Sequence, residues 1–146
     1  MNHSPAYIVA QYLIGQTLLS NPGDSGDWHV FVGNLPDGDN VDHDAVGCID
    51  TSPVKDGRVM MSGETILHYG VQLLLRASDY NTGYSKAETL MRNLETITEF
   101  KVDIGGDTYI IWNVSPATGV VAIGQDDGSK RWEMFSLNFL VTIEEV

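Results

Sequence analysis

The stretch SGETILHYGVQLLLRASDYNTGYSKAETLMRNLETITEF, residues 62–100, decides the fold class. From Leu67 every second residue is apolar: Leu67, Tyr69, Val71, Leu73, Leu75 and Ala77. Strand side chains alternate between the two faces of a sheet, so this run reads as a strand with one buried and one partly wet face. About a dozen residues is twice the usual strand length, which predicts a central strand that can extend beyond the compact body. The polar run Ser78–Tyr84 reads as a loop. Ser85 and Glu88 then have the spacing of a capping box, in which the Ser hydroxyl and the Glu carboxylate each accept from the other residue's backbone amide. Ala87, Leu90, Met91, Leu94 and Ile97 follow at three- and four-residue steps, predicting a helix over about residues 85–100.

Working outward, Ser4-Pro5 is an N-cap and first-turn pair, so a helix is expected from Pro5 through about Ser20, weakened at Gly15 and ended by Asn21-Pro22-Gly23. Trp28–Gly33 and Val46–Thr51 read as short strands, separated by an acidic loop over residues 36–45, and residues 52–63 read as a further loop. Past residue 100, Gly105-Gly106 between two alternating runs is a two-residue hairpin signal. Val120–Gly124 and Arg131–Ile143 complete what reads as a β-meander. The expected architecture is α+β: a mainly antiparallel sheet with the N-terminal helix and the second helix packed on one face, forming a single domain over residues 1–146.

Twenty acidic residues against eight basic ones give a formal charge of −12 and a pI near 4.4. Such a surface disfavours binding a phosphate backbone by charge neutralisation. Solubility alone accounts for it; a surface past which nucleic acid must slide without sticking would use the same repulsion. Cys48 is the only cysteine, which excludes a disulfide framework and a cysteine-rich zinc site, and it reads as a small buried hydrophobe. There is no apolar run long enough to span a membrane as a helix and no basic leader, so a cytoplasmic protein, or one assembled there, is expected.

Chemistry has few places to reside. Asp37, Asp39, Asp42 and Asp44 crowd one loop with His43, but Val41 and Asp42 occupy the third-ligand and glycine positions of a calcium loop, so a solvated acidic loop is expected and no metal. His3, His29, His43 and His68 lack helical zinc spacing, and neither a Gly-x-Ser-x-Gly elbow nor a phosphate loop occurs. No catalytic residue and no cofactor are expected. Gln72 and Arg76 share the partly polar face of the long strand, either as an ordinary exposed or salt-bridged pair or as an inter-subunit contact. Tyr80 and Tyr84 read either as loop packing or as oligomer anchors.

The chain resembles small phage virion proteins known as minor capsid or tail terminator proteins. The resemblance spans most of the sequence: the N-terminal helix, Trp28–Asp37, Ile49-Asp50-Thr51, Met60–Gly63, and above all Gly70-Val71-Gln72-Leu73-Leu74-Leu75-Arg76-Ala77 with Asp79-Tyr80 before a helix. It implies a virion protein assembled in the host cytoplasm into a ring, typically a hexamer. That ring caps the tail tube, meets the tube protein on one side and a head-side connector or stopper protein on the other, and lets genomic DNA pass its lumen without specific binding. The acidic loop with Asp37, Asp39, Asp42 and Asp44 becomes a candidate lumen or docking element, and Gln72, Arg76, Tyr80 and Tyr84 a candidate subunit interface. A tail-tube or neck (head-completion) subunit is the nearer alternative. From another class, a soluble α+β protein could bind a cation or small ligand through loop 37–44.

Overall fold

The computed structural model describes residues 1–36, 44–59, 65–125 and 131–146, with residues 54–59 and 65–67 described by their backbone alone. Its elements are α1 (Pro5–Gly15), β1 (His29–Val32), β2 (Ala45–Val59), β3 (Thr65–Ala77), α2 (Tyr80–Glu95), β4 (Thr98–Ile104), β5 (Asp107–Pro116), β6 (Val121–Gln125) and β7 (Glu133–Glu145). The fold is α+β, as the alternating and helical periods predict.

The sheet runs β1-β2-β3-β7-β5-β4, with β6 beside β7. All pairings are antiparallel except β1 with β2. The C-terminal strands are therefore not a plain meander: β7 inserts between β3 and β5 and becomes a central strand. Matching period and length explain the insertion. Val71, Leu73 and Leu75 of β3 stand opposite Phe139, Leu137 and Phe135 of β7, and all six side chains are buried. At about 1.5–3 kcal/mol for burying each such side chain, this double row supplies much of the core.

Both helices cover that row. Ile8, Val9 and Leu13 of α1 join Ala87, Leu90 and Leu94 of α2 in the same buried cluster, and Tyr12 Oη donates to Asn93 Oδ1 (2.9 Å) between the helices. Ser4 Oγ accepts from Tyr7 N (3.2 Å), as its N-cap position predicts, and Asp50 Oδ1 on β2 accepts from Ala6 N (2.8 Å).

Three boundaries depart from expectation. First, α1 stops at Gly15 instead of running to about Ser20. Thr17 N donates to Ile14 O (3.0 Å) and Leu18 N to Leu13 O (3.1 Å), a Schellman closure in which Thr17, not a glycine, takes the left-handed conformation at φ 60°. Second, α2 begins at Tyr80, not Ser85, and ends at Glu95. Asp79 is its N-cap, accepting from Thr82 N (3.1 Å) and Thr82 Oγ1 (2.9 Å). Asp and Ser cap about equally well, and the earlier cap is used because the added turns pack Tyr80 and Gly83 against Phe135. Gly83, which reads as a loop residue, is a contact residue of the helix: a Cβ there would lie 2.5 Å from Phe135 Cε2 and 2.9 Å from Ala77 Cβ. The segment after Glu95 turns at once into β4, so the helix stops short of the expected residue 100.

Third, residues 52–59 are not simply loop: β2 continues through them, paired to β3 with register shifts between Thr51 and Val54 and between Lys55 and Val59. The shift at Ser52-Pro53 is possible because β3 offers Gly70 beneath it, where any Cβ would collide with Thr51 and come within 2.7 Å of Ser52 O. The expected Gly105-Gly106 hairpin joins β4 to β5, with positive φ at Gly105 (64°).

Candidate interaction surface

The residues singled out in the sequence divide into three groups. Asp37, Asp39 and Asp42 lie outside the described residues. Asp44 is half-buried and structural in its contact: its Oδ1 accepts from Ser78 N (3.0 Å), tying the start of β2 to the end of β3.

Gln72 and Arg76 do share one face of β3, the face away from the helices, but both are engaged within the chain. Gln72 Nε2 donates to Ser136 Oγ (3.1 Å). Asn138 Nδ2 donates to the same oxygen at 3.4 Å, and His68 Nδ1 lies 2.8 Å from Thr142 Oγ1, so β3 and β7 are laced by polar side chains. Arg76 is only 2% exposed. Its guanidinium donates to Pro36 O and lies 5.8 Å from the centroid of Trp132. The cause is a crossing strap: residues 33–36 pass over β2 at Gly47, where a Cβ would meet Leu35 Cβ at 2.9 Å, and bring the Pro36 carbonyl onto Arg76.

Tyr80 and Tyr84 are the exposed members, at 48% and 44%. They sit on the first turns of α2 and rest on the buried Phe135, with ring centroids 5.2 and 6.4 Å away. Phe135 stands opposite Ala122 of β6. The two tyrosines therefore stand beside a strand whose sequence reads as ordinary. All five residues of β6, Val-Ala-Ile-Gly-Gln, are exposed; Val121 is 41% and Ile123 51% accessible, and none is charged. The absence of charge in Val120–Gly124 is the signal in the sequence that marks it.

Elsewhere the chemistry is sparse. Cys48 is buried, its Sγ donates to Ala6 O (3.1 Å), and burial, with Asp50 nearby, pushes the thiol far above its ordinary pKa. Among the described residues no three His, Cys, Asp or Glu side chains gather as a metal site, and no helix is long and apolar enough to cross a membrane. An open cleft of about 490 Å³ is lined by Trp28, Asn81, Thr82, Ser85, Lys86 and Thr89. Lys86 fills part of it, donating to Leu18 O with Nζ 5.7 Å from the Trp28 ring centroid; burial lowers its pKa. No protein-family model and no curated protein matches the chain.

Proposed function

We propose that this chain is a structural, non-enzymatic subunit of a phage virion, a tail-terminator-like protein that assembles into a closed ring, typically of six, between tail tube and head connector. The observation that carries the reading is the ribbon formed by β2 and β3. β7 pairs with β3 only from Tyr69 to Ala77, and β1 pairs with β2 only from Ala45 to Cys48. Beyond those limits, among the described residues, β2 and β3 pair only with each other, through Val54–His68, Lys55–Leu67 and Val59–Thr65. A two-stranded ribbon is marginal by itself in water, and its unpaired edges are templates for another chain. A subunit that reaches past its own core in this way suits heterologous, head-to-tail contacts, which close into rings. The net charge of −12 suits a lumen through which DNA slides without counterion-release binding.

Native mass spectrometry with negative-stain microscopy of the purified chain tests this. Six-fold rings are the expected product. A species that stays monomeric at high concentration and gains thermal stability only with calcium would instead favour a cation-binding protein. Terminator and neck or tube roles separate by locating the protein in a particle, or by overlong tails when it is removed.

A further inference from the structure

Among the described strands, β1, β4 and β6 each end the sheet on one side, and they are not equally protected. Outside β1, Ser20 already bonds the strand: Ser20 N donates to Trp28 O (3.1 Å) and Val30 N to Ser20 O (2.9 Å). β4 carries Glu99, Lys101 and Asp103, the charges that discourage edge-to-edge pairing. β6 has neither defence. Among the described strands it pairs with β7 alone and is uncharged throughout; Val121, opposite Ser136, lies on the face away from the helices, whereas Ala122, opposite Phe135, lies on the face where Tyr80 and Tyr84 rest.

The ribbon differs in charge from the rest of the chain. Residues 52–59 contain two basic residues, Lys55 and Arg58, and one acidic, Asp56, in a chain whose total is −12. Copies of so acidic a protein repel one another over most of their surface, and the least repulsive approach brings this net-positive segment of one copy to the uncharged rim of another.

We infer that β6, flanked by Tyr80 and Tyr84, receives the β2 edge of the ribbon from a second copy of this chain, by strand addition. The contact rests on the ring reading and gives it a geometry: donor edge and acceptor edge lie on different parts of the subunit, so each copy gives one ribbon and receives another. Main-chain hydrogen bonds supply the pairing, and the tyrosines supply rigid aromatic cover on one side of it. A five-residue strand with two half-exposed rings falls short of the roughly 800 Å² per partner of a standard interface. Open dimers are therefore weak and ring closure, which gives every copy two contacts, stabilises the assembly.

Cysteine pairing tests the contact without presuming its register. One variant carries Ile123→Cys, and a set of others carries Ser52→Cys, Val54→Cys, Asp56→Cys or Arg58→Cys. After mild oxidation, mixtures of Ile123→Cys with a matching ribbon variant should give covalent heterodimers, and a chain carrying both cysteines should give a ladder up to the ring. Ile123→Cys dimerising by itself would show a two-fold β6–β6 contact and overturn the inference. Hydrogen exchange reads the same contact in the unmodified protein: amides of residues 52–59 and 121–125 should slow at least tenfold on assembly. Rings that form with those amides unprotected, or that form equally well with Ile123→Lys of unchanged melting, would refute the contact and leave the ring reading standing. A wild-type chain that never leaves the monomer would overturn both.

Discussion

Replacing Gly83 by alanine separates two effects of opposite sign. In a helix, Gly→Ala stabilises by up to about 1 kcal/mol, because alanine loses less backbone freedom. At Gly83 the added methyl would lie 2.5 Å from Phe135 Cε2, 3.1 Å from Cδ2 and 2.9 Å from Ala77 Cβ. Phe135 has no room to yield: it is fully buried, under Tyr80 and Tyr84 and between Leu75 and Ala122 of the neighbouring strands. Overpacking of this kind costs about 1–3 kcal/mol. The steric clash outweighs the gain in helix propensity, and Gly83→Ala should destabilise by a net of about 1–2 kcal/mol. Gly15→Ala is the internal control, since nothing lies within 4 Å of a Cβ there; it should be neutral or stabilising by up to about 1 kcal/mol. Urea unfolding reads both. With m near 2 kcal/mol/M, the Gly83 variant should lose roughly 0.5–1 M in midpoint. Phe135→Leu combined with Gly83→Ala should recover more than about 0.5 kcal/mol relative to additivity. Equal, favourable shifts at both glycines would refute the close approach of α2 to β7.

Four further outcomes are expected. Thr17→Gly should stabilise by about 1 kcal/mol in thermal or urea melts, because a β-branched residue holds a left-handed position at φ 60°. Asp79→Ala should cost about 1 kcal/mol and Ser85→Ala less than half of that, the reverse of what the capping-box reading demands. Leu73→Asp should abolish soluble folding, since it places a carboxylate in the fully buried row between β3 and the helices; wild-type-like melting would refute the register. Burial lowers the Lys86 pKa, so between its folded value and the ordinary 10.5 the unfolded chain binds more protons than the native one. Stability relative to Lys86→Met should therefore rise as pH climbs toward 10.5, and an amine titrating at or above 10.5 by NMR would contradict that burial.

Where the sequence carries a strict period, local pattern and structure agree: the alternation in Leu67–Ala77 and Phe135–Ile143 specifies the two long strands, and Leu90 and Leu94 specify the buried stripe of α2. They part where tertiary contacts choose among equivalent local signals. Two N-cap candidates stand six residues apart, and the fit of Gly83 against Phe135 is visible only once β7 is in place. Residues 52–59, with Pro53 and Gly57, have the composition of a loop; their pairing depends on Gly70, which is far along the chain. For the surface, Tyr80 and Tyr84 are legible as exposed aromatics, whereas the interior position of Arg76 is not, because the strap that covers it comes from residues 33–36. Charge counting draws the eye to acidic clusters and away from β6, whose distinguishing property is having no charge.

The insertion of β7 between β3 and β5 also governs how the chain comes together in time. Its pairs with β3 join residues 56 positions apart at Ala77 and Glu133 and 72 apart at Tyr69 and Val141. Contacts this distant in sequence must close a long loop before they reward it, which slows folding. During synthesis, both helices and the strands β1 to β6 emerge before the strand that fills the centre of their sheet, and the apolar row of β3 waits open meanwhile. This sheet can close only once residues 133–141 are free to pair with β3, and until then Val71, Leu73 and Leu75 are open to other chains.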